Sequence, residues 1–217
     1  MQSNTLSRIL LVLGLAVSGV FLWGLYDDSH TIRLISKPIP VLCLLIWTLR
    51  QERNSYSLFI TLGLGFSIGG DVLLEIDKSL FLYGLISFLI AHIWYIVGFL
   101  KKSKDLALIR LLPFALYGGG VYAYLFQKLG PMTIPVGVYV SVICVMMWRA
   151  AAVIQEGDKH TRMLAWLALV GALSFAISDS MIAFNKFNAP FTGARTLIIV
   201  LYWLGQWGIA YSTLSKK

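Results

Sequence analysis

Four apolar stretches of this chain carry side chains that can move protons. FSIGGDVLLEI (66–76) holds Asp71 and Glu75, SFLIAHIWY (87–95) holds His92 and Tyr95, SDSMIAF (178–184) holds Asp179, and YWLGQ (202–206) holds Tyr202 and Gln206. An ionisable group inside a membrane span costs about 2.5–3.5 kcal/mol on insertion scales, so such groups face a bundle interior and mark function. Val72, Leu73 and Leu74 continue the apolar run past Asp71. Met181 to Phe184 do the same past Asp179. Both aspartates therefore read as intramembrane, against the bland alternative of a span that ends early. Glu75 lies beside Asp77 and Lys78, and reads either as lining a pocket mouth or as simply solvated. His92 and Tyr95 are three apart and share a helix face, as do Tyr202 and Gln206, four apart. A lone buried histidine is usually a satisfied core residue, and a tyrosine near a span end is usually an interfacial anchor. Three polar groups near His92 and the depth of Tyr202 shift both toward a site. Lys37, next to Pro38, either snorkels to the headgroups or meets a lipid phosphate.

Two carboxylates, an imidazole, two phenols and an amide support acid–base chemistry where water is scarce. Other chemistries find little support. The chain is read as having no nucleophile elbow, no H-E-x-x-H, no phosphate-cradling loop and no C-x-x-C. His92 with two aspartates is a thin ligand set, because His30 and His160 fall in loops, so neither metal nor cofactor is expected. Cys43 and Cys144 lie in apolar runs and read as small core residues.

The elements that must position these groups follow from composition. The 217 residues are 58% hydrophobic and 13% charged, with mean hydropathy +0.78; a soluble domain has about 25% charged residues. The fold expected is all-α: a polytopic membrane bundle of eight transmembrane helices forming one domain over 1–217. The spans lie near 6–26, 33–50, 56–76, 79–101, 106–126, 131–154, 161–184 and 192–213, joined by short polar connections such as Gln51-Glu52-Arg53-Asn54. The net charge of +8 is flanking charge, and no nucleic-acid partner is expected. With a cytoplasmic N-terminus, 12 of the 18 Lys and Arg fall inside, Arg53, Lys216 and Lys217 among them, so both termini are expected to be cytoplasmic. Gly70-Asp71-Val72 is echoed by Ser178-Asp179-Ser180 about half a chain later, which is compatible with two four-helix repeats. Gly65-x-x-x-Gly69 and Gly118-Gly119-Gly120 read as close-packing sites.

Lys37-Pro38, Gly70-Asp71, Gly84, Phe88, Ala91-His92, Tyr95, Gly171-Ala172, Ser178-Asp179-Ser180, Tyr202 and Gln206 resemble, in order and spacing, the YhhN family, which includes the lysoplasmalogenases. The resemblance runs from the second span to the last. It implies an eight-helix membrane enzyme that hydrolyses the vinyl ether of lysoplasmalogens, giving a fatty aldehyde and a glycerophospho-base. It also implies Asp71, His92 and Asp179 as the catalytic set, supported by Tyr95, Tyr202 and Gln206. The partners would be a lysophospholipid and bilayer lipids, in the inner membrane if the cell is bacterial.

Such a reaction protonates the vinyl β-carbon, adds water to the resulting oxocarbenium ion and collapses a hemiacetal. It needs one carboxyl that stays protonated and one that stabilises the cation, and the expectation is that Asp71 and Asp179 face each other in these roles, unassigned. A proton-coupled transporter or a lipid-binding protein is the rival reading. A carrier needs a polar route at both ends, whereas the inner halves of these spans are poor in polar residues.

Overall fold

The computed structural model describes residues 2–51, 54–155 and 158–214, and for residues 2–4 the backbone alone. Glu52, Arg53, Lys216 and Lys217, used in the connection and charge readings above, lie outside these residues. All regular structure among the described residues is helical: α1 (Gln2–Tyr26), α2 (His30–Ser36), α3 (Ile39–Leu49), α4 (Ser55–Ile76), α5 (Phe81–Lys102), α6 (Leu111–Leu125), α7 (Thr133–Ala152), α8 (Lys159–Phe187) and α9 (Ala194–Tyr211). Seven helical stretches are long and apolar enough to cross a membrane, with α2 and α3 together forming one of them. The eighth, α9, is less apolar because it carries Arg195, Gln206 and four aromatic residues, and it packs closely against α8. The chain is a multi-pass membrane protein. Large apolar side chains such as Leu15, Ile109 and Ile134 point outward, as lipid contact requires.

Local sequence sets the breaks. The second span divides at Lys37-Pro38, because proline supplies no N–H to continue α2. Asn54 opens α4 with a capping box: its side chain accepts from Ser57 N at 2.8 Å while Ser57 Oγ accepts from Asn54 N. Asp77, in extended backbone, closes α4, and its side chain accepts from Ser79 N at 2.7 Å.

Two helix pairs are packed most tightly, α4 with α5 and α8 with α9, and each carries one aspartate on its first helix. In the first pair, Leu74 meets Gly84, Gly70 meets Phe88 and Gly63 meets Tyr95, an order that makes the helices antiparallel. A Cβ on Gly70 would lie 2.5 Å from Phe88 Cε2, so only glycine admits that ring. In the second pair, a Cβ on Gly171 would lie 2.7 Å from Ile209 N. The glycine run in α6 departs from expectation. Gly118 packs on Cys144, but nothing lies within 4 Å of a Cβ at Gly119 or Gly120, because α6 is peripheral and turns that face outward.

The two ends of the bundle differ. One holds the C-termini of α4 and α8 and the start of α9, and is the mouth end. At the other, the buried Arg149 donates to Ser103 O and Asp105 O, both at 2.7 Å, and Arg110 donates to Ala151 O and Ile154 O. Lys102 donates to Ser212 O at 3.0 Å. These cations are spent on backbone carbonyls of that end.

Candidate active site

Asp179, about two turns before the end of α8, meets His92 from α5 and Tyr139 from α7. Tyr139 Oη donates to Asp179 Oδ2 at 2.5 Å. His92 Nε2 lies 3.3 Å from the same oxygen and 2.9 Å from Tyr139 Oη. His92 is fully buried, and its Nδ1 has no partner among the described residues.

Asp71, 1% exposed, accepts from Tyr202 Oη at 2.6 Å, its one hydrogen-bond partner among the described residues. One turn along α9, Gln206 Oε1 accepts from Tyr95 Oη at 2.6 Å, and Ser67 Oγ lies 3.3 Å from that phenol. Thus Asp71 and Asp179 do not share a hydrogen bond; each has its own phenol. Phe175 and Phe88 stand between them. The Phe175 ring is edge-on to both His92 (4.6 Å between centroids) and Tyr202 (5.2 Å), and Phe88 is edge-on to Phe175 and Tyr202.

A narrow cleft between α5, α7 and α8 leads to the first cluster. Leu74, Phe81, Leu85, Phe88, Val136, Val140, Ile143, Ile182 and Phe187 make its walls apolar, and Asp179, Tyr139 and Ser180 are its polar residues. An alkyl chain suits such walls; an ion does not. No group of three or more His, Cys, Asp or Glu side chains able to hold a metal occurs among the described residues.

Glu75 and Lys37 sit together at the mouth end, away from both phenols. Glu75 is not solvated: its side chain is 7% exposed and pairs with Arg33 at 2.9 Å, Lys37 at 3.3 Å and Arg195 at 3.5 Å. Asp77 is the exposed acid of the pair, and the Ser79 hydrogen bond holds its carboxyl below the usual range.

Sequence reasoning missed Tyr139, Arg33 and Arg195. Tyr139 lies seven residues into an apolar span with no polar neighbour at helical spacing, and the two arginines read as ordinary flanking charge. It also missed that Gly65-Phe66-Ser67-Ile68-Gly69 spells G-x-S-x-G. That pattern does chemistry on a strand-to-helix turn. Here it lies inside α4 with Ser67 against a phenol, and no base adjoins it.

The comparisons with known proteins agree with one another. The chain is 34% identical over 203 residues to human "Lysoplasmalogenase TMEM86A", covering 90% of this chain and 84% of that one. Human "Lysoplasmalogenase TMEM86B" is 30% identical over 196 residues, covering 89% and 80%. A "Lysoplasmalogenase" from Mycobacterium bovis is 30% identical over 146 residues, covering 63% and 52%. No solved structure matches. The model of the YhhN family matches residues 32–213, and the chain belongs to the YhhN family.

Proposed function

We propose that this protein hydrolyses the vinyl ether bond of lysophospholipids of the lysoplasmalogen class. Relatives named for that activity cover most of the chain. The observation that carries the reading is the Asp179–His92–Tyr139 cluster at the wall of an apolar cleft.

In this mechanism the alkenyl chain lies in the cleft, with the vinyl ether at the level of the two aspartates. Asp71 lies behind the Phe88 and Phe175 rings, so it delivers a proton to the β-carbon once Phe88, which also lines the cleft, turns aside, and the enol ether electrons form the new C–H bond. The α-carbon becomes an oxocarbenium ion, stabilised by Asp179. Water adds to that carbon and loses its proton to the Asp179–His92 pair, giving a hemiacetal. On collapse the Asp179–His92 pair returns its proton to the glycerol oxygen, the C–O bond breaks, and the hemiacetal hydroxyl proton passes back to Asp71, releasing aldehyde and glycerophospho-base with one water consumed. The free Nδ1 of His92 gives this relay an outlet. Tyr202 supports the acid and Tyr139 the stabiliser, while Tyr95 and Gln206 brace the α9 side of the site.

The test is aldehyde release from purified protein and lysoplasmenylethanolamine. Asp71→Asn and Asp179→Asn should each reduce it by at least about a hundredfold while the fold survives. Retained turnover in both single variants would sink the mechanism, and no aldehyde from the unaltered protein would sink the function.

A further inference from the structure

Hydrolysis as written makes no use of Glu75, yet three elements spend a cation on it. Arg33 comes from α2, Lys37 from the break before α3, and Arg195 from the first turn of α9. Arg33 is held by more partners: its Nη1 also donates to Asp28 Oδ1 and Gly24 O, and its side chain is 8% exposed. Lys37 and Arg195 differ. Neither forms another ion pair among the described residues, each keeps unused N–H donors, and the Arg195 side chain is 55% exposed. Three cations against Glu75 and Asp28 leave an excess of positive charge at the mouth end, next to a site whose substrate must be gripped outside the cleft.

We infer that Lys37 and Arg195 bind the phosphodiester of a lysophospholipid, with Glu75 as the fixed template that holds both cations in place. The inference rests on the lysolipid reading above and adds which group of the lipid is held and by what. The spacing fits. Glu75 follows Asp71 by four residues on one helix face, a rise of about 6 Å. About five bonds separate the ether oxygen of such a lipid from its phosphorus, a comparable reach. A phosphate at Lys37 and Arg195 therefore leaves the ether at the level of Asp71, and Leu74, between them in sequence, already lines the cleft that takes the chain. The arginine fork suits a phosphodiester, and the lysine adds a point charge.

The test uses two probes that cannot be hydrolysed, titrated into purified protein in uncharged detergent micelles: a 1-O-alkyl-glycerophosphoethanolamine and the 1-O-alkylglycerol that lacks its phosphate. The unaltered protein should bind the first about tenfold tighter or more. Arg195→Gln and Lys37→Gln should each remove most of that preference, Arg195→Lys should keep part of it, and alkylglycerol binding should hold steady throughout. Equal affinity for the two probes in the unaltered protein overturns the inference. So do variants that weaken both probes alike, since the cations then only hold the mouth together. Full displacement of the lysolipid by inorganic phosphate alone would give the site to a free anion and overturn it too. Because neither probe is cleaved, failure of aldehyde release and failure of this preference are separate results.

Discussion

Tyr202→Phe removes one oxygen from the site and little else. The Tyr202 side chain is buried, and its ring keeps its edge contacts to Phe88 and Phe175 without the hydroxyl. What disappears is the 2.6 Å bond to Asp71 Oδ2. In the proposed reaction Asp71 gives up its proton as the oxocarbenium ion forms, so the phenol donates to a carboxylate that exists only from the transition state onward. A hydrogen bond to a charged group contributes about 1.5–3 kcal/mol. At about 1.36 kcal/mol per factor of ten, kcat should fall roughly 10- to 150-fold. KM should change little, because the lost interaction strengthens only as charge develops. The assay is the initial rate of aldehyde release in micelles, with aldehyde dehydrogenase as the reporter and a thermal unfolding curve beside it. A kcat within about twofold of the unaltered enzyme, a difference under about 0.5 kcal/mol, would refute the reasoning. If the unfolding temperature dropped in the same experiment, Tyr202 would serve only to satisfy a buried carboxyl.

Three further outcomes are expected. Replacing His92 by Gln should cost about 10²–10⁴-fold in aldehyde release, as loss of a proton relay does, and Tyr139→Phe should cost about tenfold by freeing the oxygen that anchors Asp179. Gly63→Ala drives a methyl into the Tyr95 ring and should destabilise the fold by about 1–3 kcal/mol, read from chemical denaturation, whereas Gly119→Ala meets no neighbour and should cost nothing. Arg149→Met uncovers Ser103 O and Asp105 O and should lower the unfolding temperature while leaving kcat of the folded protein unchanged; liposomes carrying it should leak no protons to an internal pH dye, a result that a carrier would contradict.

Much of this was legible because lipid imposes a simple code. A run of about twenty apolar residues must become a helix, and an ionisable residue within it must face inward. That logic located α1 and α4 to within a few residues and singled out Asp71, His92 and Asp179. It gave way where the decisive fact is a contact between distant segments. Asp71 and Asp179 look like a facing pair in sequence, but Phe88 and Phe175 fill the space between them, and each finds a tyrosine instead. Tyr139 carries no local mark at all, because its meaning comes from an aspartate forty residues away. The second span divides at a proline visible in the sequence, yet only packing shows that the break delivers Lys37 to Glu75.

The three acids of the mouth half show how partner type sorts function. Each must be satisfied, because an unpartnered buried carboxylate is too costly to keep. Glu75 is satisfied by cations, and a proton placed on it would weaken three ion pairs at once. That acid is committed to holding charge in place. Asp71 and Asp179 are satisfied by phenols, and a phenol can donate to a carboxylate or accept from a carboxylic acid with a small rotation of its hydrogen. Their hydrogen bonds survive a change of protonation state, which is what a group that gives or takes a proton in each turnover requires. In the proposed reaction the FSIGGDVLLEI stretch therefore carries two acids one turn apart with opposite designs: Asp71, partnered by a phenol, gives up its proton, and Glu75, partnered by cations, holds charge in place.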